Sequence, residues 1–279
     1  MQYGFLTGLS LTEVNRAFNR AFEHYFVPVQ STLADFQARI LRDDLRLNWS
    51  TGAFIGDELV GLMLHGYRDQ GGRKTLYNGG TGVATAYRGK GLTQQQYDFL
   101  RDELAAGGIQ RMQLEVMREN APALHVYKKV GFEIVRELDC FAGRPKSFSL
   151  PRGVQLRQEK PPIWRSEPAW ESYTPSWQHA DASVRNLWDQ IVYREAVVAE
   201  KRVGYLLALP DGRVMQYAVA PEQRGRGIGK ALFSAIHQHL DRHLNVINVQ
   251  RLHRPLDGFF IDLGLQPTFY QYEMVAELP

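Results

Sequence analysis

The 279-residue chain has almost no cysteine, little net charge and no long apolar run. Its one cysteine, Cys140, excludes an internal disulfide and fits a reducing compartment, so a cytoplasmic location is expected. A formal net charge of +3 is too small for a nucleic-acid footprint, which needs basic residues massed on one face. No stretch approaches the ~18 apolar residues of a membrane span, so no membrane partner is expected. The opening MQYGFLTGLS lacks a basic stretch followed by a long apolar one, so no secretory leader is expected. His239 and His243 stand four apart on a predicted helix, but no carboxylate or thiol cluster accompanies them, and no metal is expected. What is left is ordinary globular composition, 44% hydrophobic and 23% charged, at a length that suggests two domains.

What is present in force is an internal repeat. YRGKGLT (87–93) has a counterpart in QRGRGIG (223–229). A strand-like run precedes each: TLYNGGTGVAT (75–85) and RVMQYAVA (213–220). A helix-like run follows, clearest in the apolar face Ile228, Leu232, Phe233, Ile236 and Leu240. Then come a strand (112–116 and 246–249), a short helix, and Gly131-Phe132 or Gly264-Leu265. Arg88 lies 43 positions before Gly131 and Arg224 lies 40 before Gly264, so a gap of three aligns the halves. The first half adds predicted helices over 11–25 and 35–45 and a hairpin over 51–67, with its turn at Gly56-Asp57. The second half repeats the hairpin over 195–209. Residues 160–177, rich in Pro, Trp and Ser, read as irregular, and the tryptophans there as packing for the second domain. Gly79, Gly80 and Gly82 interrupt a strand and predict a bulge or a close approach of another chain segment.

A strand, a glycine turn and a helix start together make an anion site, because the first helical amides have no intrahelical partner and carry partial positive charge. Arg88, Lys90, Arg224 and Arg226 add charge to the two loops, so each half is expected to hold a pyrophosphate. A nucleoside-triphosphate loop is excluded: Gly229-Lys230 is followed by Ala231, which has no hydroxyl for Mg²⁺, and Arg224 stands where the first glycine belongs. A dinucleotide fingerprint fails on spacing.

The remaining pattern, Arg224, Gly227 and Gly229, resembles the acyl-CoA pyrophosphate loop of the GNAT N-acetyltransferase superfamily. MQLEVMRENAPALHVYKKVGFEIV (112–135) resembles a later part of that fold, with Asn120, Ala123, Tyr127 and Gly131-Phe132 at the family's spacing. The resemblance implies an α/β fold of two tandem GNAT-like domains, each a mixed, mostly antiparallel sheet flanked by helices. Residues 1–145 would form the acyltransferase domain, and residues 155–279 a second domain with an intact loop but a degenerate catalytic region. It also implies acetyl-CoA as co-substrate, no metal, and a small-molecule or peptide primary amine as acceptor. The cofactor contacts it implies are Val83, Arg88, Gly89, Lys90, Gly91, Leu92, Thr93 and Asn120 in the first half. In the second they are Arg224, Gly225, Arg226, Gly227, Ile228 and Gly229. Tyr127 would be the acid to the leaving thiolate and Glu115 the base, with Glu23 and His24 as alternative bases in the substrate-side segment that also holds Tyr25. Thr93 departs from the family's final Gly/Ala. With the gap applied, Asn120 corresponds to His253 and Tyr127 to Phe260, so catalysis is expected in the first half and none from the second alone. The rival reading is a non-catalytic acyl-CoA-binding or regulatory protein. The acceptor's identity, the general base, whether one or both halves bind CoA, and the oligomeric state are not written in the sequence.

Overall fold

The computed structural model describes residues 1–23, 25, 29–252 and 257–278. In chain order its elements are β1 (Gln2–Phe5), α1 (Leu11–Ala21), α2 (Leu33–Arg42), β2 (Thr51–Ile55), β3 (Glu58–Gln70), β4 (Arg73–Val83), α3 (Leu92–Ala106), β5 (Arg111–Met117), α4 (Ala121–Lys129) and β6 (Glu133–Gly143). There follow β7 (Gln155–Arg157), α5 (Asp181–Asn186), β8 (Val192–Val198), β9 (Lys201–Ala208), β10 (Val214–Val219), α6 (Ile228–Leu240), β11 (Leu244–Gln250), α7 (Asp257–Leu263) and β12 (Gln266–Glu277). Among the described residues no helix is long and apolar enough to cross a membrane.

The chain folds as two compact units, Met1–Val135 with Tyr272–Pro279, and Arg136–Gln271. The division therefore falls at 135/136 and 271/272 and not in the 145–155 stretch. The reason lies in the last strand of each unit. In the N-terminal unit the place beside β5 is held by residues 272–277 of β12. Their alternation puts Met274 and Ala276 in the same core as Leu114 and Val116, with Tyr272 and Leu278 packed against it. In the C-terminal unit the place beside β11 is held by β6.

The N-terminal sheet runs β1-β2-β3-β4-β5, then β12. Its described pairings are antiparallel except β4 with β5, which pair parallel from Thr75↔Arg111 to Asn78↔Leu114. That register ends at Asn78, whereas β4 continues to Val83 and β5 to Met117, so the two strand ends part. Helix α1 starts at a capping box, Ser10 with Glu13, and α2 at another, Thr32 with Asp35. Helix α1 ends at Ala21, four residues before the sequence pattern suggested, and an arginine from the glycine loop takes the carbonyl of that last residue. The interrupted strand does bulge, between Leu64 and His65 opposite Gly80 and Asn78. What approaches it closely is side chains: a Cβ on Gly79 would lie 2.7 Å from Leu45, and one on Gly82 would lie 2.8 Å from Ala21.

The C-terminal unit has an antiparallel sheet β10-β9-β8-β7. Between β10 and β11 the described residues form one isolated parallel bridge, Arg213↔Asn245, so these strands part almost from their start. Helix α6 packs Ile228, Leu232, Phe233 and Ile236 into the core, as its period predicted. Where the N-terminal unit has α1 and α2, this unit has the irregular 160–177 stretch, with short turns at Pro168–Trp170 and Trp177–His179, and then the short α5. Trp164 and Trp177 are buried, as expected of packing residues.

Candidate functional site

The two glycine loops share one backbone shape. Gly89 and Gly91 have φ of 75° and 75°, and Gly225 and Gly227 have 75° and 85°. These left-handed values favour glycine. Gly91 and Gly227 are the N-caps of α3 and α6. The first helical bonds are Gln95 N to Gly91 O and Ala231 N to Gly227 O, so the amides of 92–94 and 228–230 lie ahead of them. A Cβ on Gly89 or Gly225 would meet nothing within 4 Å, which leaves room for a phosphate against the backbone.

The two loop arginines also tie the chain together. Arg88 donates from Nε to Val83 O (3.1 Å) and from Nη2 to Ala21 O and Glu23 O (3.0 Å each). Arg224 donates from Nε to Val219 O (3.1 Å) and from Nη2 to Trp170 O (2.7 Å). Each guanidinium thus ties its loop to the end of the preceding strand and to a more distant segment. In the N-terminal unit it also caps the carboxyl end of α1. Lys90 lies over the Tyr87 ring, and Arg226 bonds Gln223. Leu92 and Ile228 are buried anchors. Gly229 has a packing reason: a Cβ there would lie 3.2 Å from the Phe259 ring. Thr93 holds the matching place in the first loop.

In the N-terminal unit a chain of polar groups lies where β4 and β5 part. The Asn78 amide oxygen accepts from Gly80 N–H (3.1 Å), which fixes the amide's orientation. Its nitrogen donates to Thr81 Oγ1 (2.6 Å) and Tyr97 Oη (2.8 Å). Burial pushes the Tyr127 phenol up to about 12, against the opposing pull of the neighbouring Thr81 hydroxyl. Burial also pushes Tyr97 well above its ordinary value. The rings of Tyr97, Tyr127 and Phe132 meet edge to face at 5.8–6.4 Å. Asn120 caps α4 through Ala123 N and reaches Tyr25 Oη at 3.4 Å.

The structure therefore brings Tyr127, Thr81, Asn120 and Tyr25 to one region, next to Val83 and the loop. Glu23 contributes its carbonyl to Arg88, and its side chain is exposed. His24 and His253 lie outside the described residues. Glu115 is elsewhere. Met112, Leu114 and Val116 face the core shared with Tyr127, so Gln113 and Glu115 point to the sheet's other face. There Tyr77 Oη donates to Glu115 Oε2 (2.5 Å), and Gln113 Nε2 to Glu273 Oε2 (2.9 Å). The alternation that separates Glu115 from Tyr127 was visible in MQLEV.

The C-terminal unit contains a cavity of about 470 Å³ against its glycine loop, within the usual size range of small-molecule sites. Residues of the loop (Arg224, Gly225 and Gly227 to Lys230), of β10 (Gln216 to Val219) and of β11 (Val246 to Asn248) line it. Trp170, Tyr173, Ser176 and His179 of the irregular stretch do too. Tyr173 Oη and Tyr217 Oη are 3.2 Å apart. Burial raises both phenols, Tyr173 to about 12 and Tyr217 well above its ordinary value. Ser176 Oγ meets His179 Nδ1 (3.0 Å) and accepts from Asn248 Nδ2 (3.2 Å). Sequence reasoning missed Tyr217 and Tyr173 because it looked for a phenol only at the helix position, Phe260. The signal was the tyrosine two residues before the end of β10, where β4 has Thr81.

Residues 11–132 and 156–263 each match the acetyltransferase (GNAT) family. Among solved structures, a GCN5-related N-acetyltransferase from Sphaerobacter thermophilus superposes with a TM-score of 0.73 at 16% identity, covering 99% of this chain and 95% of that one. A tandem GNAT protein of the clavulanic acid biosynthesis pathway gives 0.72 at 16% identity, covering 99% and 98%. A putative acetyltransferase from Pyrococcus horikoshii gives 0.68 at 13%, covering 100% and 89%. At these identities the likeness is one of fold. With a family match in each half, two parted-strand sheets and two arginine-tied glycine loops, the chain belongs to the acetyltransferase (GNAT) family as a tandem two-domain member.

Proposed function

We propose that the protein is an acetyl-CoA-dependent N-acetyltransferase that acylates a primary amine, with catalysis in the N-terminal unit. The observation that carries this reading is the buried Tyr127 phenol beside the end of β4, next to a glycine loop open to a pyrophosphate. Thr81 accepts from Asn78, so its own single proton is available to Tyr127. The phenol is then left to donate outward. As a neutral amine attacks the thioester carbonyl, the C–N bond forms and the C–S bond breaks. Tyr127 gives its proton to sulfur, and the surplus proton of the former amine returns to the phenolate through water. Glu115, on the opposite face and paired with Tyr77, takes the proton of the incoming ammonium before the neutral amine passes between the parted ends of β4 and β5 to the thioester. Backbone amides of residues 92–94 and 228–230 hold pyrophosphates, and both units bind acyl-CoA. The test is turnover with acetyl-CoA and an amine panel, reading released thiol. Tyr127→Phe lowers kcat by about 10–100-fold with KM for acetyl-CoA unchanged, the mark of an interaction made in the transition state. Equal kcat in the two enzymes, with chemistry rate-limiting, removes Tyr127 from the mechanism.

A further inference from the structure

The C-terminal unit lacks a hydroxyl at Phe260, yet its cavity does not lack one. Arg224 Nε holds Val219 O as Arg88 Nε holds Val83 O, both at 3.1 Å, so the two strand ends correspond residue for residue. Two positions back, Thr81 of the N-terminal unit becomes Tyr217. In the N-terminal unit the small side chain is on the strand and the phenol on the helix. In the C-terminal unit the phenol is on the strand, and the helix presents Phe260, whose ring meets Tyr217 edge-on at 5.9 Å. The exchange keeps one phenol and one partner at the mouth of the parted strands. Tyr217 also has a second hydroxyl, Tyr173, at 3.2 Å, and both line the cavity that opens onto the loop.

We infer that the C-terminal unit is a second acyl-transfer site, in which Tyr217 protonates the leaving thiolate and Tyr173 resupplies the proton. This rests on the acyl-CoA reading of the glycine loop given above. A neutral primary amine forms the C–N bond as the C–S bond breaks. The Tyr217 proton goes to sulfur, the Tyr173 proton moves to Tyr217, and the surplus proton on nitrogen returns to Tyr173. The sum is amine plus thioester giving amide plus thiol. Trp170, Tyr173, Tyr205 and Phe259 make the wall aromatic, and Glu171 is its one carboxylate among the described residues. The acceptor is therefore a small primary amine with an apolar body.

The experiment uses the full chain with Gly91→Asp to disable the N-terminal loop, calorimetry with acetyl-CoA, and turnover on hexylamine, 2-phenylethylamine, lysine and spermidine. The expected result is one bound equivalent, turnover on the two apolar amines, and a loss of at least about tenfold in kcat when Tyr217→Phe is added, with affinity unchanged. Phe keeps the ring contacts to Phe233 and Phe260, so the variant stays folded. One bound equivalent without turnover, or equal kcat with and without Tyr217→Phe, overturns the inference while leaving the acyl-CoA reading intact. Turnover confined to lysine and spermidine overturns the acceptor assignment. No binding by the wild-type chain overturns both readings. If Gly91→Asp does not fold, Tyr127→Phe replaces it. The inference then requires that Tyr217→Phe remove most of the turnover left in Tyr127→Phe, and it falls if that turnover is unchanged.

Discussion

The N-terminal and C-terminal units keep the same loop but differ in what covers it. In the first, Arg88 holds the carbonyl of Ala21, the last residue of α1, and that of Glu23 just beyond it. In the second, Arg224 holds Trp170 O of an irregular, aromatic stretch, and a cavity of about 470 Å³ lies between that stretch and the loop. The loop is built from local rules: glycine at positive φ, then a helix start. The cover is built from long-range contacts. What the two units share is therefore the glycine loop with its helix start, and what differs is the segment packed over it and the place of the nearby tyrosine.

The largest expected effect breaks the symmetry of the cradles. Gly91→Asp and Gly227→Asp each force a side chain into a left-handed position and set a carboxylate against the pyrophosphate. Each variant should weaken acetyl-CoA at its own unit by on the order of 100-fold, about 2.7 kcal/mol, and leave the other unit intact. Calorimetry should then show two equivalents in the wild type and one in each variant. Two tight equivalents in either variant would mean that its loop is not the cradle.

The glycine loops and the helices that follow them were legible because glycine and helix periodicity are local signals. The spacing of Ile228, Leu232, Phe233 and Ile236 is enough to mark α6, and the order of elements is enough to mark the repeat. The ties made by Arg88 and Arg224 were not legible: nothing local to residue 88 announces that Ala21 O and Glu23 O lie within reach. The placement of residues 272–277 in the N-terminal unit was equally hidden, since alternation shows that Tyr272, Met274 and Ala276 share a face but not which strand they pair with. Glu115 could have been placed from its apolar neighbours alone. Tyr217 was hidden because the phenol moved from helix to strand, and alignment by position does not follow chemistry across a gap.

A smaller effect sharpens the contrast at the strand end, where one unit has Thr81 and the other Tyr217. Thr81→Val keeps the shape and removes the hydroxyl that accepts from Asn78 beside the Tyr127 phenol. One net hydrogen bond is worth about 0.5–1.5 kcal/mol, so kcat of the N-terminal unit should fall by roughly 2–10-fold, with KM for acetyl-CoA unchanged. Thr81→Ser should restore most of it. A loss in KM alone would make Thr81 a binding residue and not a positioning one. The measurement is cleanest with Gly227→Asp present, so that turnover in the C-terminal unit does not contribute.

The smallest expected effect is none at all, over a pH range where an ordinary phenol would fail. Burial raises Tyr127 to about 12, so its acid form persists. At pH 10 about 1% of such a phenol is ionised, against about half of one at the reference value of ~10. The Tyr127-dependent part of kcat, the difference between wild type and Tyr127→Phe, should thus be flat from pH 7 to 10. The acceptor for this measurement is an amine already neutral across that range, so that its own titration does not enter. Folding stability sets the upper limit. A phenol whose folded value is raised adds stability that is fully present below the unfolded value of ~10 and is lost as pH rises from there through the folded value. Tyr127 and Tyr173 both lie on that side. Above pH 10, then, the protein should lose activity by unfolding before the acid itself titrates. Circular dichroism at each pH separates the two, because unfolding moves the ellipticity and titration does not. A fall in the Tyr127-dependent rate centred near pH 10, with the ellipticity unchanged, would show that the phenol is solvated and that its burial does not tune the reaction.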